Sequence, residues 1–206
     1  MELYERKNVK FLIFDIGKVI ALGDERPAFD LLQYFGVKLE NIKETFLNAD
    51  YYKFLRGQIN AWEFYNILVT KYFKYPLSYE QVVLAFKIGM FGIDHDVIRI
   101  LSQLERNRIA FLTDTHVWHE EKLAELINLK LYSDHIFMSH KMGLVKIDSD
   151  CFTYVIRQLN INPCNALLID DSLEKVEMAQ RYGLQTLQFR NADQLSSHLR
   201  NIRWLR

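Results

Sequence analysis

Five short apolar runs constrain this chain most. Phe11-Leu12-Ile13-Phe14 stops at Asp15. Ile109–Thr113 reads IAFLT and runs into Asp114. His135–Ser139 reads HIFMS and runs into His140-Lys141. Ala166–Asp170 reads ALLID and runs into Asp171-Ser172, and Gln185–Phe189 reads QTLQF. Unbroken apolar runs of this length, bounded by polar residues, are the pattern of strands buried on both faces of a parallel sheet. Helical periodicity separates them. Val97, Ile100, Leu101 and Leu104 share one face of 95–106, which Asp94 can cap. Residues 116–127 carry their acids early. Cys151, Phe152, Val155, Ile156 and Leu159 form a stripe in 149–160, with Ser149 as the expected cap. In 172–182, Val176 and Ala179 face inward between Ser172, a candidate cap, and Gly183, a candidate stop. Strands alternating with helices predict an α/β fold built on a doubly wound parallel sheet.

One interval breaks the alternation. About 90 residues separate Asp15 from Ile109, whereas a crossover between parallel strands needs about a dozen. Residues 27–35, 39–48, 60–73 and 78–90 each read as helices. Asn60 can cap the third, and Ser78 with Gln81 makes a capping box for the fourth. Most of the aromatic residues lie here, as expected for the core of a helical bundle with a few side chains turned toward a cleft. The division expected is an α/β core of residues 1–16 and 93–206, with residues 17–92 inserted as a helical unit. A chain of 206 residues accommodates a domain with an insertion.

The 26 Lys+Arg and 26 Asp+Glu cancel. This argues against nucleic acid as a partner, since phosphate-backbone binding depends on a basic excess. The basic tail Arg200–Arg206 reads as a frayed, solvated end. Cys151 and Cys164 form no metal-ligand or CxxC spacing and read as buried or half-buried thiols of a reducing compartment. The charged start Met1–Lys7 is unlike a signal peptide, and no run of about 18 apolar residues is present. The expectation is a cytoplasmic monomer or homodimer with no membrane association.

Polar residues at the C-terminal ends of parallel strands face the ligand crevice of such sheets. Asp15, Thr113, Asp114, Asp170 and Asp171 occupy those ends here, and Lys146 lies in the loop after the third run. Close carboxylates repel one another and call for a cation, and an oxygen-only set suits Mg²⁺. A hydroxyl and an ammonium are natural phosphate partners. A carboxylate left free to attack gives an aspartyl-phosphate. The set therefore points to phosphoryl transfer rather than hydride or acyl chemistry.

The order FDIGKVI, FLTDT, HKMGLVK and LLIDDS resembles the haloacid dehalogenase-like (HAD) hydrolase superfamily from about Lys10 to Phe189. LRGQINAWEF and PLSYEQV resemble the helical cap of sugar-phosphate phosphatases whose first motif reads FDxGxV. The resemblance implies a small phosphorylated metabolite as substrate and Asp15 as nucleophile. It implies Mg²⁺ held by Asp15, the Gly17 carbonyl, Asp170 and Asp171, with phosphate held by Thr113, Lys146 and the Asp114 N–H. Lys18 is expected to offset Asp114 or to contact substrate, and Arg56 to reach a polar end of the substrate.

Several residues depart from the resemblance. Many phosphatases of the superfamily carry an acid/base Asp where this chain has Gly17, although the FDxGxV branch shares the Gly. Lys146 is followed by Ile147 where Pro is common, a change in loop rigidity. Asp114 replaces a frequent Asn and adds a carboxylate beside the expected phosphate. Three other readings compete: a catalytically weak or inactive HAD-like binding protein, a 2-haloacid dehalogenase, and a phospho-accepting receiver. The paired acids Asp170-Asp171 argue against dehalogenation, and their position last in the chain argues against a receiver.

Overall fold

The structure, a computed structural model, describes residues 9–46 and 48–205. The charged start and Arg206 lie outside the described residues. The strands are β1 (Phe11–Phe14), β2 (Ala21–Gly23), β3 (Met90–Ile93), β4 (Ile109–Thr113), β5 (His135–Met138), β6 (Ala166–Asp170) and β7 (Gln185–Gln188). The helices are α1 (Arg26–Tyr34), α2 (Leu39–Thr45), α3 (Ala49–Leu55), α4 (Ala61–Ile67), α5 (Tyr79–Ile88), α6 (His95–Leu101), α7 (Val117–Leu126), α8 (Ser139–Met142), α9 (Cys151–Leu159), α10 (Leu173–Arg181) and α11 (Ala192–Asn201).

Five strands form one sheet in the order β5-β4-β1-β6-β7, and every pair in it is parallel. Strands β1, β4 and β6 are buried at every residue, which is why their sequences are apolar without alternation. Leu12, Phe14, Phe111 and Ile169 pack on one face with α6 and α11. Phe11, Ile13, Leu112 and Leu168 pack on the other against the apolar stripe of α9. Helices on both faces cover the sheet. The central place of β1, between β4 and β6, brings Asp15 beside the ends of both neighbours.

The interval between β1 and β4 departs from four simple helices. It begins and ends in an antiparallel ribbon, where Ala21 pairs with Ile93 and Leu22 with Gly92. An additional helix, α3, is capped by Asn48, whose side chain accepts from Tyr51 N at 2.8 Å. The expected caps of α4 and α5 are present as reciprocal capping boxes, Asn60 with Glu63 and Ser78 with Gln81. Beyond α4 the chain continues as a π turn, Leu68–Tyr72. Phe54, Phe64, Phe73 and Phe86 form the apolar centre of this layer. Trp118 of α7 joins them, with its indole N–H donating to the Tyr79 hydroxyl at 3.0 Å.

Three local expectations need correction. Ser149 does not cap α9; the helix starts after Asp150, with no side-chain cap bond. Ser172 occupies the N-cap position of α10 but makes no cap bond with its side chain. The tail is not a frayed end through its described length. Arg200 and Asn201 close α11, whose Leu195 and Leu199 are fully buried, and Trp204 beyond it stacks under the Arg108 guanidinium at 4.0 Å. Cys151 is buried and Cys164 half-buried, and both are free. Among the described residues no helix is long and apolar enough to cross a membrane.

Candidate functional site

The site is built on the C-terminal ends of β1, β4 and β6. Asp15 follows β1, and its own backbone N–H extends the ladder to the Ile169 carbonyl at 2.8 Å. The chain then turns sharply. The N–H groups of Val19, Ile20 and Ala21 converge on the Ile16 carbonyl, Lys18 takes a left-handed φ of 56°, and among the described residues no backbone donor takes the Gly17 carbonyl. Buried Ile16, Val19 and Ile20 anchor this turn at the C-terminal end of the sheet.

Lys146 joins two acids. Its Nζ lies 2.7 Å from Asp15 Oδ1 and 2.6 Å from Asp170 Oδ2, with the Lys146 and Asp170 side chains fully buried. Ile16 N–H also donates to Asp15 Oδ1, at 2.7 Å, so no protein donor holds Asp15 Oδ2 among the described residues. Ser172 N–H donates to Asp170 Oδ1 at 2.9 Å. Asp15, Asp170 and Asp171 each offer a carboxylate oxygen within 4.8 Å of the others.

Burial, and the neighbouring Asp170, push the Asp15 pKa up against the pull of Lys146 and Lys175. Burial disfavours charge on Lys146, but Asp15, Asp170 and Asp114 outweigh it and raise its pKa, so the amine stays cationic. The cluster holds three acids, two of them bonded to the one buried ammonium. The surplus negative charge, the all-oxygen donors and the free Gly17 carbonyl fit a hard divalent cation.

Thr113 ends β4, buried, and its hydroxyl engages no protein partner among the described residues. Asp114 turns away from the acids. Its Oδ1 accepts from Lys146 N at 2.8 Å, and its Oδ2 meets Lys175 Nζ at 3.1 Å. The counter-charge of Asp114 is therefore Lys175, not Lys18. Lys18 instead pairs with Glu25 at 3.1 Å, both well exposed. Arg56 is engaged by Asp148, through Nε at 2.8 Å and through a second bond from Nη2 to Oδ1. Asp148 Oδ2 also accepts from Val145 N at 2.9 Å. Two carboxylates thus fasten consecutive amides of the Lys146 loop, where the sequence lacks a stiffening Pro.

Lys175 and Asp148 escaped the sequence reading. Lys175 had a signal, since a cation in the first turn of a helix opposes the helix dipole and needs a compensating acid. Asp148 had none, because its partner Arg56 is distant in sequence. The histidines stay outside the acid cluster. His116 is fully buried among Phe54, Phe86 and Trp118, and burial pushes its pKa well down. His119 Nε2 meets the Phe86 carbonyl and His140 Nε2 meets Glu120, each at 2.9 Å. His135 lies edge-on to Phe11.

A parallel sheet whose crevice gathers three acids, a buried lysine and an open hydroxyl defines an α/β enzyme architecture. Residues 9–183 match the family model described as haloacid dehalogenase-like hydrolase, and the chain belongs to that hydrolase family. A curated relative, flavin mononucleotide hydrolase 1 of Arabidopsis thaliana, named as a chloroplast protein, is 24% identical over 98% of this chain and 80% of its own length. A HAD family enzyme of Bacteroides thetaiotaomicron, solved with magnesium and inorganic phosphate, superposes with a TM-score of 0.80. It is 22% identical, over 89% of this chain and 95% of that one. The L-2-haloacid dehalogenase of Xanthobacter autotrophicus superposes with a TM-score of 0.62 at 16% identity, over 93% and 82% of the two chains.

Proposed function

We propose that this hydrolase is a Mg²⁺-dependent phosphomonoesterase acting through a phospho-aspartate on Asp15. The observation that carries the reading is the Lys146 bridge between Asp15 and Asp170, which leaves Asp15 Oδ2 free. The magnesium and phosphate in the Bacteroides structure, and the phosphate ester named for the Arabidopsis relative, support the same chemistry. Asp15, Asp170, Asp171 and the Gly17 carbonyl would hold Mg²⁺, which when bound offsets the charge of the phosphoryl oxygens. The acid pair is what favours this reading over dehalogenation.

Asp15 Oδ2 attacks phosphorus, the ester P–O bond breaks, and the leaving oxygen takes a proton from solvent. Water then attacks the acyl phosphate, releasing inorganic phosphate and regenerating the Asp15 carboxylate. Lys146 and the Thr113 hydroxyl hold the phosphoryl oxygens, with the Asp114 N–H assisting. Gly17 offers no general acid, a contribution worth roughly 10²–10⁴-fold elsewhere, so esters of acidic alcohols are the favoured probes. Residues 17–92 act as a helical cap, seated on the core by Gly57 and the Arg56–Asp148 pair.

Phosphate release from an aryl phosphate with Mg²⁺ tests the proposal. Wild type turns over, and Asp15→Asn and chelated wild type do not. Turnover that survives Asp15→Asn would overturn it, and no turnover by wild type on a broad ester panel would favour the binding-protein reading.

A further inference from the structure

A cavity of about 160 Å³ opens between the turn after β1, the β2–β3 ribbon and the helical layer. Gly17 lies on its wall, and two residues of chain span at most about 7 Å, so the wall stands within one small ester of Asp15. A Cβ at Gly17 would meet nothing within 4 Å, which leaves that side of the cavity open. Lys18, Asp24, Glu25 and His119 also reach the lining, but most of the remaining wall is apolar. Ala28, Phe46, Phe86 and Met90 contribute most of it, with the Phe46 and Phe86 rings 5.4 Å apart. The exposed Lys18–Glu25 pair belongs to the same lining.

Tyr51 packs behind the cavity wall. Its ring meets Phe46 edge-on at 5.3 Å. Its hydroxyl makes no hydrogen bond among the described residues. Burial raises the pKa of that hydroxyl, and the charges of Asp114 and Glu25 raise it further.

We propose that this cavity receives the leaving group of the phosphate ester, and that the leaving group carries an aromatic or other flat apolar ring. The inference rests on the phosphatase reading and narrows its substrate class. A cavity of about 150 Å³ with apolar walls holds one benzene-sized ring. A sugar ring brings several hydroxyls, each needing a partner once buried. Phe46, Phe86, Met90 and Ala28 supply none, and the polar side chains of the lining are already engaged, Lys18 with Glu25, Asp24 with Arg26 and His119 with the Phe86 carbonyl.

The test is binding, which does not depend on turnover. Phenylphosphonate and methylphosphonate are titrated calorimetrically, with Mg²⁺, into wild type and Ala28→Phe, which fills the cavity. Phenylphosphonate should bind wild type at least about tenfold more tightly, the usual scale for one buried apolar group. Ala28→Phe should close most of that gap, and Ala28→Leu serves if the larger variant does not fold. Equal affinity of the two phosphonates for wild type, or a gap unchanged in the filled variant, would overturn the inference. Glucose 1-phosphate hydrolysed in preference to phenyl phosphate would overturn it too. Hydrolysis that is independent of Asp15 would instead defeat the phosphatase reading alone.

Discussion

Asp148→Ala perturbs the Lys146 loop without touching the acid cluster. In the native chain the Asp148 carboxylate accepts one bond from Val145 N–H and two from the Arg56 guanidinium, with both side chains about four-fifths buried. Removing it leaves an amide and a guanidinium short of partners. A neutral hydrogen bond is worth about 1 kcal/mol and a charged one about 1.5–3 kcal/mol. Part of that is returned by solvent reaching Arg56, so the expected loss of stability is about 2–3 kcal/mol. Catalysis should suffer separately. Lys146, next to the Val145 amide that Asp148 holds, carries the Nζ that touches Asp15, and a displacement of about 1 Å can cost about 100-fold.

Urea unfolding of wild type, Asp148→Ala, Arg56→Ala and the double variant gives the coupling energy of the pair, expected at about 1–2 kcal/mol. Steady-state kinetics on an aryl phosphate should show a fall in kcat larger than the rise in KM, partly restored by Asp148→Asn, which can still accept from Val145. A coupling below about 0.3 kcal/mol, together with unchanged kcat in Asp148→Ala, would refute the brace.

Lys146→Met should abolish turnover and destabilise the fold by about 3–5 kcal/mol, because it strands Asp15 and Asp170 as buried acids; chemical unfolding at neutral pH measures it, and a stable variant would contradict the ion triad. Asp50 is held down at about 2, chiefly by the Lys71 ammonium and with help from Tyr72 and Lys53. Its folded pKa lies below the unfolded value of about 4, so its contribution is complete above about pH 4 and disappears as pH falls toward 2. With both lysines largely exposed, that contribution is about 1 kcal/mol, and Asp50→Asn should flatten the stability profile over that range. Gly57 has a φ of 64°, and a Cβ there would sit 2.1 Å from the His140 carbonyl oxygen. Gly57→Ala should lower the melting temperature and weaken substrate binding, whereas an unchanged melting curve would show that the turn does not seat on α8.

Much of the α/β core was legible because buried parallel strands leave apolar runs that need no partner to be recognised. The ends of β1, β4 and β6 could be read the same way, and Asp15, Thr113 and Asp170 lie where those runs stop. The ribbon was not legible. Ala21–Gly23 and Met90–Ile93 are too short for periodicity, and only pairing across the inserted layer makes them strands. Helix α11 was missed because its polar surface masks Leu195 and Leu199, four residues apart and both buried. Asp114 looked like a surplus charge beside phosphate. Its purpose needed Lys175 and the Lys146 amide, which no local pattern brings together. Aromatic residues near the crevice could not be sorted from those of the core, since Phe46 and Phe64 look alike until packing separates them.

The central claim is that Asp15 forms the bond to phosphorus. Acid-quenched enzyme, taken during steady turnover of an aryl phosphate with Mg²⁺, should carry one phosphoryl group on the peptide containing Asp15 when mapped by mass spectrometry. The label should vanish in Asp15→Asn and without Mg²⁺. Turnover with the label absent from that peptide, or found on another residue, would contradict the account.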